Sequence, residues 1–135
     1  MTKGSKKVIS IKDLIDRKKE LSGRVRKQQT VFVDDLDGNV EVIEPTIGIL
    51  SDMREMGGSS DDKNIMIIAS CMVNPNPKSA ELLKAYGCVT PNDLIKKLFR
   101  IGTIRQLADI IVNMAGFGEG SVMIVEGKVA EEIKN

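Results

Sequence analysis

The chain has no histidine and no tryptophan, and its aromatic side chains amount to three phenylalanines and one tyrosine in 135 residues. Each shortage removes a class of function. Without histidine the commonest general acid–base is missing, and adjacent acids such as Asp34–Asp35 and Glu131–Glu132 do not share a face on a regular element. The sequence therefore reads as non-enzymatic. So few aromatics leave little on which to stack unpaired bases. Cys71 and Cys88 alone do not supply the four ligands of a structural zinc site, so no metal or cofactor is expected. Cys71 lies within an apolar run and reads as a buried thiol. That run, Ile65–Val73, is the longest, far below the ~20 residues of a membrane-spanning helix. No secretory signal pattern opens the chain. A soluble, cytoplasmic protein without membrane contact is expected.

Charge is nearly balanced overall at +1 but unevenly placed. Residues 1–28 hold ten Lys/Arg against Asp13, Asp16 and Glu20, net +7. Residues 29–62 hold only Arg54 against nine acids, net −8. Such an arrangement is either a solvated basic arm beside an acidic segment or a device that steers a partner. A net charge so close to zero also favours self-association, so homo-oligomers are expected.

Local signals predict a mainly α fold, a small multi-helix domain with an accessory N-terminal β-hairpin. Residues 1–8 read as disordered, and 9–135 as a single helical domain with the hairpin around 29–44. Ser10 with Asp13 starts a helix carrying Ile11, Leu14 and Ile15 and ending before Gly23. Val31–Val33 and Val40–Ile43 flank an Asp37-Gly38 turn, with Gly38 suited to positive φ. Thr46 caps a helix over 47–56 with Ile47, Leu50 and Met53 in its stripe. Residues 57–62 read as a loop. Ile65–Val73 is too short and too uniformly apolar for periodicity to separate strand from helix, but Asp61 and Asp62 before it suit a helix N-terminus. Pro75 and Pro77 break the chain, and Ser79–Tyr86 forms a short helix closed by Gly87. Thr90-Pro91-Asn92-Asp93 is a strong helix start. Its helix shows Leu94, Ile95, Leu98 and Phe99 on one face and ends at Gly102. The next starts at Thr103, carries Ile104, Leu107, Ala108, Ile111 and Ala115, and ends at Gly116. Val122–Val125 is strand-like.

Two motifs invite functional readings. The pair of segments around Gly102 has the outline of a helix-turn-helix. Its second helix, however, offers only Arg105, Gln106 and Asn113 for phosphate and base contacts, with Asp109 opposing the single charge. The glycines at 116, 118 and 120 follow a helix, where phosphate loops and dinucleotide fingerprints need a preceding strand. They read as a helix stop. Among the seven methionines, Met53 and Met56 lie just before a Gly-Ser loop. Adaptable thioethers of this kind suit a groove for varied apolar helices. With Phe117, exposed in its glycine-rich turn, they are the candidate partner-binding residues.

Residues 64–118 resemble the XkdN-like tail assembly chaperones of phages and defective Bacillus prophages. The pattern is an apolar helix leading to Pro75 and Pro77, then Leu82-Leu83 with Ala85-Tyr86-Gly87, then Pro91-x-Asp93-Leu94. Lys97-Leu98-Phe99, Gly102 and Leu107 follow, and the helix ends at Gly116. The resemblance implies a mainly helical protein of the bacterial host cytoplasm, absent from the mature virion. It would keep the tape measure protein soluble while tail tube protein subunits polymerise around it. The partners implied are the tape measure protein and the tail tube protein, with no nucleic acid. A helix-turn-helix DNA-binding protein and a structural tail component are the alternatives.

Overall fold

The computed structural model describes residues 7–117, 121–127 and 129–130. Its chain falls into two compact units, one of residues 26–118 and one combining residues 1–25 with 119–135. The expectation for residues 1–8 lies mostly outside the described residues.

In the smaller unit, α1 (Ile11–Asp16) begins with the expected capping box. The Ser10 hydroxyl accepts from the Asp13 amide, and the Asp13 carboxylate accepts from the Ser10 amide. The helix then breaks at Arg17, which leads into α2 (Lys18–Ser22). The expected stripe is open, with Ile11, Leu14 and Ile15 all exposed. Val122–Val125 has no regular structure and is exposed, which corrects the strand-like reading. Two β-branched valines and an isoleucine make no strand without a neighbour to pair with.

The larger unit opens with the hairpin, β1 (Gln28–Val33) and β2 (Gly38–Ile43), paired antiparallel from Gln28 opposite Ile43 to Val33 opposite Gly38. Its turn is a single 3-10 turn over Asp34–Leu36 that closes on Asp37. Asp37, and not the glycine after it, takes the left-handed conformation at φ 47°. Asp tolerates that region because its short polar side chain can satisfy local backbone. Val33, Val40 and Val42 point into the core.

Helix α3 (Ile47–Glu55) starts where Thr46 accepts from the Ile49 amide at 3.1 Å. Helix α4 (Ser60–Cys71) starts earlier than composition suggests, because Ser59 and Asp62 form a second capping box. It buries Ile65, Ile67, Ile68, Ala69 and Cys71, which surround its axis, as in a helix enclosed by neighbours. Those neighbours include α3 and two C-terminal helices, α6 (Pro91–Leu98) and α7 (Ile101–Asn113). Directly after α4 the chain becomes β3 (Met72–Asn74), antiparallel to β2. The sheet order is thus β1-β2-β3. On one face of the sheet the Glu41 carboxylate accepts from Gln28 at 2.7 Å and Asn74 at 3.0 Å, tying all three strands.

Helix α5 (Ala80–Ala85) is capped by Ser79 and followed by Gly87 at φ 64°. Thr90 caps α6 through the Asp93 amide, with Pro91 in the first turn. The corner between α6 and α7 differs from expectation. Phe99 and Arg100 form it in extended backbone, and Gly102 lies inside the first turn of α7. Leu94, Ile95 and Phe99 are buried from α6 and its end; Ile104, Leu107, Ala108 and Ile111 are buried from α7. Gly116, at φ 96°, follows as expected.

Candidate functional site

Helix α7 has no capping side chain of its own at Arg100. The hairpin supplies one instead. The Arg100 amide donates to Asp35 Oδ2 at 2.7 Å, across 65 residues of sequence. A carboxylate at this end of a helix also meets the positive pole of the macrodipole. The Asp35 carboxyl is held below its usual range, chiefly by that amide and further by Thr103 and the Arg100 charge. Asp35 therefore fastens the hairpin turn to the helix.

Between the two lies a groove of about 580 Å³. Val31, Phe32, Val33, Asp34 and Asp35 line one side; Arg100–Thr103, Gln106, Leu107 and Ile110 line the other. Consecutive strand residues point to opposite faces. A groove bordered by three in a row, Val31 to Val33, meets the strand along its edge. Phe32 (61% exposed) and Ile101 (51%) leave apolar surface open there.

On α7 the Arg105 guanidinium makes a two-pronged contact with Asp61 at the start of α4, 2.9 Å from Nε and 3.0 Å from the terminal nitrogen. The pair holds the Asp61 carboxyl down and pushes Arg105 up, through the hydrogen bond first and charge second. Gln106 borders the groove, and Asn113 donates to Asp109 at 3.5 Å. The three polar residues that a reading helix would use are thus engaged with acids or turned to the groove. The sole cation of α7 is matched by a carboxylate.

The three candidate contact residues come from two places. Met53 lies in the last full turn of α3 and packs, half-buried, on the core. Met56 is half-buried at the C-cap one turn on. Phe117, 63% exposed, belongs to the turn after α7. Other methionines fill the core: Met72 and Met114 are buried. Ile47 was expected in the buried stripe of α3, yet it is 86% exposed while Ile49 packs inward. The inward side of the first turn is carried by Ile49, two residues past Ile47, which leaves a β-branched side chain open at the helix start. Phe32 was legible in principle, since strand alternation sets it opposite in sense to Val31 and Val33. Met53→Ser will lower stability by about 1–2 kcal/mol, because its thioether packs on the core. Phe117→Ser will leave the urea midpoint within error. Equal losses for the two would contradict this placement.

Cys71 is fully buried and unbridged, and burial pushes its thiol up. Among the described residues no cluster of three His, Cys, Asp or Glu could hold a metal ion, and no helix is long and apolar enough to cross a membrane.

Residues 54–134 match the family model of the phage XkdN-like tail assembly chaperone protein. This span takes in α4 to α7 and exceeds half the chain, and the chain belongs to that family. It excludes the whole hairpin and all of α3 but Arg54 and Glu55. No curated protein and no solved structure matches the chain. A tail assembly chaperone is not an enzyme class.

Proposed function

We propose that this chain binds the tape measure protein and keeps it soluble in the bacterial host cytoplasm while the tail tube protein polymerises around it, and that it leaves before the virion matures. The observation that carries the reading is family membership over residues 54–134. The surface is compatible with it. A tape measure protein is long and helical, and its apolar stripes need cover before the tube encloses them. Cover of that kind needs an adaptable apolar surface with polar surroundings, which takes a helix through anchors at i, i+3, i+4 and i+7.

The end of α3 offers one such surface. None of its residues is fully buried, and Met53 and Met56 each keep part of their surface open. Met53 and Met56 are the proposed contacts there, and Phe117 is proposed as a separate apolar anchor.

Co-expression of the chain with the tape measure protein in a bacterial cytoplasm tests the reading. The tape measure protein is expected to move into the soluble fraction and to co-purify with the chain. An unchanged soluble fraction overturns it. Detection of the chain in purified particles would instead support a structural tail component. Phe117→Ser is expected to reduce co-purification without altering the fold.

A further inference from the structure

The sheet has two edges, and they are treated differently. β3 is three residues long and is followed at once by Pro75. Short length and proline are the usual protections of an edge. β1 has neither. Its sequence Gln-Gln-Thr-Val-Phe-Val carries no charge and no proline, and among the described residues it pairs only with β2.

The orientation of the free backbone groups follows from one hydrogen bond. The Glu44 amide donates to the Lys27 carbonyl at 2.8 Å, so Lys27 directs its peptide groups toward the second strand. Alternation along an antiparallel ladder then gives the same direction to Gln29, Val31 and Val33. Gln28, Thr30 and Phe32 direct theirs outward. The edge thus offers three residues' worth of unpaired donors and acceptors, and beside it the groove leaves room for another backbone.

The flanks of β1 select the occupant. Arg26 and Lys27 precede the strand, and Asp34 and Asp35 follow it. An antiparallel copy of the same segment places its acidic end against this basic end, and the reverse. A two-fold axis requires one residue to face its own copy. With Thr30 opposite Thr30, Gln28 faces Phe32 and Arg26 faces Asp34; Gln28, Thr30 and Phe32 carry the outward-directed peptide groups, while Asp34 turns its carbonyl to the Asp37 amide and contributes its side chain alone. Arg26 commits its Nε to the Glu44 carbonyl at 2.7 Å, but a guanidinium has five N–H donors. Lys27 and Glu44 at the basic end, and Asp35 with the Arg100 charge that acts on it at the acidic end, are further charges near these ends. The ion pairs are exposed and add little affinity; they set direction and register.

We infer that β1 is a self-association edge: two copies of this chain pair β1 to β1 antiparallel, centred on Thr30, forming one continuous six-stranded sheet. This gives the near-neutral chain a defined oligomer and leaves the end of α3 available to a client.

Sedimentation velocity on the full chain across a concentration series tests the pairing. The expected species is a dimer of twice the chain mass. Thr30→Pro removes an outward donor and leaves the bonds to β2 in place, so association should weaken at least about tenfold with an unchanged circular dichroism spectrum. Arg26→Glu alone should weaken association, and Arg26→Glu combined with Asp34→Arg should restore it. That charge exchange decides the matter if the proline variant does not fold. A wild-type chain that is monomeric throughout, or a dimer indifferent to both sets of variants, overturns the inference. A monomeric chain whose Thr30→Pro variant loses tape measure capture also overturns it, and assigns the edge to an extended client segment.

Discussion

Ile67→Ala will lower the unfolding free energy by about 3–4 kcal/mol, measured by urea denaturation. Ile67 is fully buried in the middle of α4, the helix against which α3, α6 and α7 pack. Truncation removes three carbons at a point enclosed by several elements, none of which can close the gap without disturbing another. The loss thus contains a cavity term as well as a transfer term. Small domains have only about 5–15 kcal/mol in total, so the variant should sit near the limit of folding at 37 °C. Ile47→Ala is the matched control: the same chemistry at an exposed site should change stability by less than about 0.5 kcal/mol. Similar values for the two variants would mean that α4 is not the centre of the core.

Acid will weaken the contacts at the helix starts. Asp35, Asp61 and Asp62 are all held below the ordinary carboxyl value of 3.8. The leading causes differ: the Arg100 amide for Asp35, the Arg105 guanidinium for Asp61 and the Ser59 amide for Asp62. A carboxyl with a depressed folded-state pKa binds protons more readily when unfolded. Its contribution to stability is therefore present above pH 3.8 and is lost as the pH falls through the lower folded-state value. Urea midpoints should be flat from pH 7 to about pH 5 and drop below pH 4. Asp35→Asn should flatten part of that drop and lower the Tm at neutral pH, since an amide oxygen can still accept from Arg100 but carries no charge for the helix pole. A variant with wild-type pH dependence would remove Asp35 from the account.

Local chemistry made most of the elements legible. The Ser10, Thr46, Ser79 and Thr90 caps, the hairpin strands and the glycines at 87 and 116 are all visible in short windows. The α7 stripe was visible too, because Ile104, Leu107, Ala108 and Ile111 repeat at helical spacing. What escaped depended on distant partners. The three residues of β3 exist only because β2 lies beside them; in sequence, Met72 and Val73 simply continue the apolar run of α4. The start of α7 was misplaced for a similar reason. Its cap is Asp35, 65 residues upstream, so the nearest local signal, Gly102, drew the boundary instead. Family membership over residues 54–134 agrees with the pattern of packing residues read from 64 to 118. The open edge of β1 could not be read from sequence at all, since an edge is defined by what fails to lie next to it.

The junction at Cys71–Met72 has a consequence for how the chain assembles as it is made. The first two strands leave the ribosome early, with Val33, Val40 and Val42 lacking a covering layer. The next thirty or so residues bring α3 and α4, and the third strand emerges already joined to the end of α4 with no connecting loop. The central helix and the strand that completes the sheet thus arrive as one continuous stretch of synthesis, and a nascent chain halted before Ser60 would hold a hairpin with its oily side bare.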